Sequence, residues 1–167
     1  MPERKLLIDG LELHYEGLFD LDGLLKAIDK YAHERGYSKG EKRRHEKVVP
    51  SGKEFSMELR PTKIKTEYYA LMIKIRINVT NLEEVEVLKD NVPSRLNKGN
   101  VVMLFDAWTT TDFRSRWEKK PLFFFLRALA DRFVYKFSVE DKYYGELTED
   151  THFLHTNIKA YLELHKY

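Results

Sequence analysis

The chain of 167 residues contains no cysteine and no glutamine. The lack of cysteine excludes disulfides, thiol nucleophiles and cysteine-based zinc sites. No apolar run approaches the ~18 residues of a membrane span, and the first residues lack the long apolar stretch and cleavage site of a secretory signal. We therefore expect a cytoplasmic protein that does not bind membranes.

Sequence motifs of catalysis and of cofactor binding are also missing. The eight glycines stand singly, so there is no glycine-rich phosphate loop. Glu149 and His152 have the i, i+3 spacing of di-iron bundles, with His155 one turn further, but such bundles need a second copy of this motif. Asp106 is the best candidate for an acid–base residue, although pairing with an outward Lys or Arg explains it more simply. We predict a non-enzymatic protein with no metal and no other cofactor.

The composition is that of one globular domain spanning residues 1–167. Hydrophobic residues make up 43% of the chain and aromatic residues 13%, which is enough for a core without disulfides or metal. Charged residues reach 34%. A chain rich in Lys and Glu and without glutamine is typical of a thermophilic source.

Apolar periodicity predicts an α+β fold. Leu11, Leu13 and Tyr15 alternate with polar residues as in a strand, and a helical stripe follows from an N-cap at Asp20 to Gly36. Strand patterns continue through residues 41–111, and two further helices are predicted from Pro121 and from about Leu147. The order β-α-β-β-β-β-β-α-α predicts an antiparallel sheet of about five or six strands with three helices.

The strand region carries several more detailed predictions. The charged segment 41–49 is expected at a sheet edge, and Pro61 is expected to end its strand or confine it to an edge. Turns are predicted at Asn81, at Asn91 and at residues 97–100. The strand that follows, up to Trp108, is expected to be covered on both faces at one end.

Two basic segments favour contact with nucleic acid. Residues 39–47 hold five Lys or Arg against two Glu, and residues 114–120 hold four against one. The candidate contacts are Lys42, Arg43, Arg44, Lys47, Arg114, Arg116, Lys119 and Lys120, with Trp117 for stacking. The alternatives are that the charges are simply solvated and that Trp117 anchors its loop to the core.

Phe123, Phe124 and Phe125 lie in a predicted helix that is apolar on every side. Because successive residues step by ~100° around a helix, one core face cannot bury this whole run. The surplus is expected to cover a second surface. We predict homodimerisation through these rings, and the alternative is a pocket within the fold.

The order of elements resembles the helix-grip (START-like) architecture, in which a curved antiparallel sheet grips a long C-terminal helix. This resemblance implies an apolar cavity between sheet and helix. Phe105, Trp108 and residues 123–125 would line that cavity, and a small apolar molecule would be the ligand.

A second resemblance covers most of the chain. Gly17-Leu18-Phe19-Asp20-Leu21, the helix end Gly36-Tyr37 and Trp117-Glu118-Lys119-Lys120-Pro121 resemble a small, poorly characterised archaeal family. The chain is similar to archaeal factors that dimerise and hold idle small ribosomal subunits. This implies a homodimer that contacts ribosomal RNA or a ribosomal protein, with residues 114–120 as the contact.

Overall fold

The computed structural model describes residues 3–111, 125–126, 129 and 140–164. These ranges contain strands β1 (Glu3–Phe19), β2 (Ser38–Val49), β3 (Gly52–Ile64), β4 (Tyr69–Lys89) and β5 (Val92–Thr111), and helices α1 (Leu21–Glu34) and α2 (Glu140–Glu163). The predicted α+β class is confirmed, with two helices rather than three in the described part. Of the helix predicted from Pro121, only Phe125, Leu126 and Leu129 are described, and their backbone is helical. Neither α1 nor α2 is long and apolar enough to cross a membrane.

The five strands form one antiparallel sheet in the order β1-β5-β4-β3-β2. The final strand, β5, returns to lie between the first strand and β4. The charged strand β2 pairs with β3 alone, so its predicted edge position is confirmed. Each strand therefore turns alternate side chains toward opposite faces of one continuous sheet.

Helix α1 begins and ends where its sequence signals predict. Asp20 occupies the N-cap position, but its side chain makes no capping hydrogen bond. The side-chain oxygen of Asn97 instead accepts a hydrogen bond from the Leu21 N–H at 3.0 Å. At the other end, Gly36 has a φ of +86°, the left-handed conformation expected after a helix C-terminus. The two helix ends are thus defined partly by the sheet and partly by local sequence.

The core fills the space between the helices and one face of the sheet. Strand residues such as Ile75 and Phe105 are fully buried there, and so are Leu24 of α1 and Leu154 of α2. The other fully buried apolar residues of α2 are Leu147, Ile158 and Leu162, which extend its apolar stripe by several turns. We call the sheet face opposite the helices the outer face.

Strands β4 and β5 form one long hairpin, which corrects two predicted turns. Asn81 has a φ of +54° but lies inside β4, at a β-bulge between Thr80 and Glu83. Residues 97–100 lie inside β5. The predicted turn at Asn91 is confirmed, because Asp90 and Asn91 both have positive φ and Lys89 pairs with Val92. Polar and glycine residues at 97–100 therefore mark a position in a strand and not its end.

Pro61 neither ends its strand nor places it at an edge. β3 continues to Ile64 and pairs with a strand on each side. The physical reason is a bulge in the neighbouring strand, where Gly40 has a φ of +61° and the register shifts between Ser38 and Glu41. The regular ladder is interrupted there, and a residue without an N–H is tolerated beside such an interruption. Every residue from 105 to 111, at the end of β5, is buried, so one end of this strand is covered on both faces. Val102 and Leu104, at the apolar start whose pattern suggested this cover, are only half-buried.

Candidate nucleic-acid interface

The basic residues of β2 are divided between the two faces of the sheet. In the β2–β3 register, Lys42 pairs with Leu59 and Arg44 with Met57, which are core residues. Arg43 pairs instead with Glu58, and Lys47 with Glu54. Because side chains alternate along a strand, Arg43 and Lys47 belong to the outer face, whereas Lys42 and Arg44 belong to the helix side.

The two cations on the helix side have partners within the fold. Lys42 Nζ lies 2.9 Å from Asp29 Oδ2 of α1. The Arg44 guanidinium donates to Glu46 and lies 5.1 Å from the centre of the Phe55 ring. These contacts join the edge strand to α1 and to the core. They favour a structural role for Lys42 and Arg44.

The outer face gathers cations from three adjacent strands. Arg43 of β2, Arg60 of β3, and Lys74 and Arg76 of β4 form what we call the cation cluster. Arg43 and Arg76 both pair with Glu58 in the strand register. The neighbouring pairs of the β3–β4 ladder place Arg60 beside Lys74. Strand order, and not sequence proximity, assembles these four side chains.

Glu58 is shared by several of these cations. Its carboxylate accepts a hydrogen bond from Arg60 Nε at 2.7 Å and lies 3.9 Å from Lys74 Nζ. Burial raises the pKa of Glu58, but the Arg60 hydrogen bond and the charges of Arg60, Lys74 and Arg43 outweigh burial and hold it below the ordinary value. Glu58 thus stays ionised and orients the cluster.

Asp106 has the structural role that was favoured over acid–base chemistry. Its Oδ2 accepts a hydrogen bond from Arg76 Nη2 at 3.0 Å, and its Oδ1 accepts one from the Gly10 N–H at 2.7 Å. The carboxylate therefore connects β5 to β4 and to Gly10 of β1, which lies where the register between β1 and β5 shifts. The predicted alternative, pairing with an outward cation, is confirmed.

A groove of about 330 Å³ opens beside the cation cluster. Its lining residues come from β1, β3, β4 and β5 and are Arg4, Leu6, Asp9, Arg60, Lys74, Asp106 and Trp108. Leu6 pairs directly with Trp108 across the strands and is 54% exposed, while Trp108 is only 8% exposed. The groove thus brings the apolar side chains Leu6 and Trp108 together with three cations and two carboxylates.

Several predicted site residues lie outside the described residues. These are Arg114, Arg116, Trp117, Lys119, Lys120, Phe123 and Phe124. Phe125 is described, and its exposed fraction is 62%. Leu126 and Leu129 are also exposed, at 40% and 38%. Contact through residues 114–120 and self-association through the phenylalanines remain predictions.

The histidines considered as metal ligands have other surroundings. His155 Nε2 lies 2.9 Å from the Glu12 carbonyl oxygen, and His152 is exposed. Glu149 lies 3.7 Å from Arg35. Within the described ranges, no group of three or more acidic or histidine side chains is arranged to hold a metal ion.

Lys74 and Arg76 were not among the site residues predicted from the sequence. Arg60 and Arg4 were missed. These residues occupy the polar positions of alternating strands, and the strand order would be needed to place them together on one face. That order depends on pairings between distant residues, so the sequence alone did not supply it.

The chain matches no protein-family model, no curated protein and no solved structure.

Proposed function

We propose that this protein is a non-enzymatic, homodimeric binding protein that docks on a ribonucleoprotein partner through the outer face of its sheet. The observation that carries the proposal is the cation cluster, which spans three adjacent strands. Together with Arg4, its four members supply five positive charges close to the carboxylates of Glu58, Asp106 and Asp9. This excess of positive charge favours a polyanionic partner.

The cluster is also held in position before binding. Arg60 and Arg76 are fixed by hydrogen bonds to Glu58 and Asp106, and about two thirds of each side chain is shielded from solvent. Side chains ordered by the fold lose less conformational entropy when they meet a phosphate group. The sheet therefore offers a rigid pattern of donors, which suits recognition of a folded RNA by its shape.

Exposed apolar side chains support the proposed homodimer, and a sequence resemblance supports the proposed partner. Exposed apolar side chains at Phe125, Leu126 and Leu129 favour a self-association surface in this part of the chain. The small ribosomal subunit is proposed as the partner because the sequence, at residues 17–21, 36–37 and 117–121, resembles an archaeal family that we relate to factors that dimerise and hold idle small subunits. Residues 114–120 would then extend the contact beyond the sheet.

The decisive experiment uses two pairs of substitutions within β2. Arg43→Met with Lys47→Met removes two outer-face charges, and Lys42→Met with Arg44→Met removes two charges from the helix side. Co-sedimentation with purified small ribosomal subunits is measured from low to high salt. We expect the outer-face pair to weaken binding. It should also reduce the slope of the logarithm of the binding constant against the logarithm of salt concentration by about 1.4, which corresponds to about 0.7 for each of the two lost charges.

The helix-side pair is the matched control, because it changes the net charge equally at neighbouring positions. Equal weakening by both pairs would show that net charge, and not the outer face, governs binding. No salt-sensitive binding to ribosomal particles at all would refute the proposed function. Light scattering at micromolar concentration tests the dimer, and a strict monomer would refute that part.

A second candidate function is binding of a small apolar ligand by a helix-grip fold. The position of β1 next to β5, with α2 packed across the sheet, favours this arrangement. However, the described space between α2 and the sheet is occupied by side chains such as Leu154 and Phe105, which are fully buried. Apolar small molecules retained in native mass spectrometry of the purified protein would favour this function over docking.

A further inference from the structure

We infer that the groove beside Trp108 binds one nucleotide of a single-stranded RNA segment. This inference rests on the proposed function and names the site at which the partner's RNA is held. The groove is a place on the outer face where cations and apolar surface lie together. Arg4 and Leu6 belong to β1, Trp108 to β5, and Lys74 and Arg60 to β4 and β3.

The cations of the groove carry positive charge that the fold does not fully use. Arg60 donates a hydrogen bond to Glu58 at 2.7 Å, but Lys74 Nζ lies 3.9 Å from the same carboxylate, at the limit of an ion pair. Arg4 is exposed and forms no ion pair with any carboxylate of the described residues. Arg4, on the β1 side, and Lys74, on the β4 side, are therefore the donors for phosphate groups at this groove.

The apolar surface of the groove distinguishes a nucleotide from a simple anion. Leu6 is 54% exposed and pairs with Trp108, so it presents apolar surface directly beside the cations. A nucleotide base has an apolar face that this surface can cover, whereas inorganic phosphate has none. Asp9, which is exposed at the rim, supplies acceptors for sugar hydroxyl or base N–H groups.

The dimensions of the groove favour a single strand. Its volume of about 330 Å³ lies at the small end of the range for ligand sites, about 300–1,000 Å³. Its lining residues come from four adjacent strands, which span roughly 14 Å at the usual ~4.8 Å spacing. An unpaired nucleotide with free base and phosphate can enter such a groove, whereas bases paired within a duplex cannot.

The test uses the indole of Trp108 as a reporter. The chain has two tryptophans, so W117F leaves Trp108 as the only one. This protein is titrated with a single-stranded octauridylate and, separately, with a duplex of the same length. We expect saturable quenching of Trp108 fluorescence by the single strand, weakened by salt, and at least tenfold weaker binding of the duplex.

Two substitutions and a matched control locate the binding. R4M and K74M, each made in the W117F protein, are expected to weaken octauridylate binding about three- to tenfold. K159M removes one charge from an exposed position of α2 and is expected to leave binding unchanged. Circular dichroism of each variant verifies folding, and fluorescence anisotropy of labelled octauridylate with wild-type protein controls for the W117F change.

The outcomes separate this inference from the proposed function. If ribosomal particles bind with the expected dependence on Arg43 and Lys47, but R4M and K74M have no effect, the groove inference fails alone. Equal binding and quenching by the duplex would overturn the single-strand assignment. If neither octauridylate nor ribosomal particles bind, both proposals fail together.

Discussion

Substitution of Asp150 by alanine should destabilise the fold far more than substitution of the neighbouring exposed carboxylate, Glu149. Asp150 lies in α2, and its side chain is 3% exposed. Its Oδ2 accepts hydrogen bonds from the Tyr37 hydroxyl at 3.0 Å and from Lys63 Nζ at 3.2 Å. Arg35 lies 3.6 Å from its other oxygen. One carboxylate thus joins α2 to β3 and to the segment after α1.

The expected loss can be worked out from these contacts. Removing one member of a buried ion pair costs about 3–5 kcal/mol when the partner is left without compensation. Here Lys63 keeps a second carboxylate, because Glu146 lies 2.6 Å from its Nζ. The Tyr37 hydroxyl, in contrast, is left as a buried donor without this acceptor, which costs about 1–3 kcal/mol. We therefore expect a loss of about 2–3 kcal/mol in the free energy of unfolding.

The assay is urea unfolding at neutral pH, followed by far-UV circular dichroism. The matched control is Glu149→Ala, which removes the preceding carboxylate. That side chain is 73% exposed and lies 3.7 Å from the same Arg35, so its loss should cost less than about 0.5 kcal/mol. If the midpoints of the two variants coincide and their slopes are equal, the reasoning about burial is refuted.

Three further predictions concern other parts of the fold. Gly40→Ala should destabilise the fold strongly, because a Cβ there would lie 1.7 Å from the Arg60 carbonyl oxygen. Gly145→Ala lies in an exposed part of α2, where a Cβ would have nothing within 4 Å, and should stabilise the fold by about 0.5–1 kcal/mol. Equal melting temperatures of the two variants would contradict this contrast. Burial raises the pKa of Glu146, but hydrogen bonds from two lysines outweigh burial and hold this pKa below the ordinary 4.5. The stabilisation by ionised Glu146 is therefore present above about pH 4.5 and is lost as the pH falls through the pKa of the folded state. The difference in unfolding free energy between wild type and Glu146→Gln, measured by urea unfolding, should therefore shrink on acidification. A difference that stays constant from pH 7 to pH 3 would contradict this role of Glu146. Leu154→Ala should cost about 2–5 kcal/mol in urea unfolding, since this side chain is fully buried; a loss below 1 kcal/mol would indicate a loosely packed core under α2.

The elements that the sequence predicted well have signals that are local. Helix α1 is defined by an apolar stripe with a polar residue before it and Gly36 after it, and all of these lie within one short segment. The alternation of Phe55, Met57 and Leu59 with polar residues likewise indicates which side of β3 is buried. Local backbone preference and burial agree at these positions, so the pattern was sufficient.

The elements that were predicted wrongly depend on distant partners. Asn81 favours a turn, but β4 stays paired with β5 on both sides of it, and Asn81 lies in a β-bulge of β4. Pro61 is tolerated because the bulge around Gly40 lies in the neighbouring strand, some twenty positions earlier. Such compensation is a property of the pair of strands. A single sequence does not show which strand will be the neighbour, and therefore does not show where a bulge can form.

Dependence on strand pairing is also the reason why charge counting located only part of the candidate site. Residues 39–47 are conspicuous because five cations stand together in the sequence, yet alternation along β2 sends Arg43 and Arg44 to opposite faces. The partners of Arg43 on the outer face, Arg60 and Arg76, come from β3 and β4 and do not stand in a basic run. A surface charge pattern on a sheet is therefore set by strand register. Experiments that compare neighbouring residues at equal net charge test that pattern directly, whereas experiments that delete a whole basic segment do not.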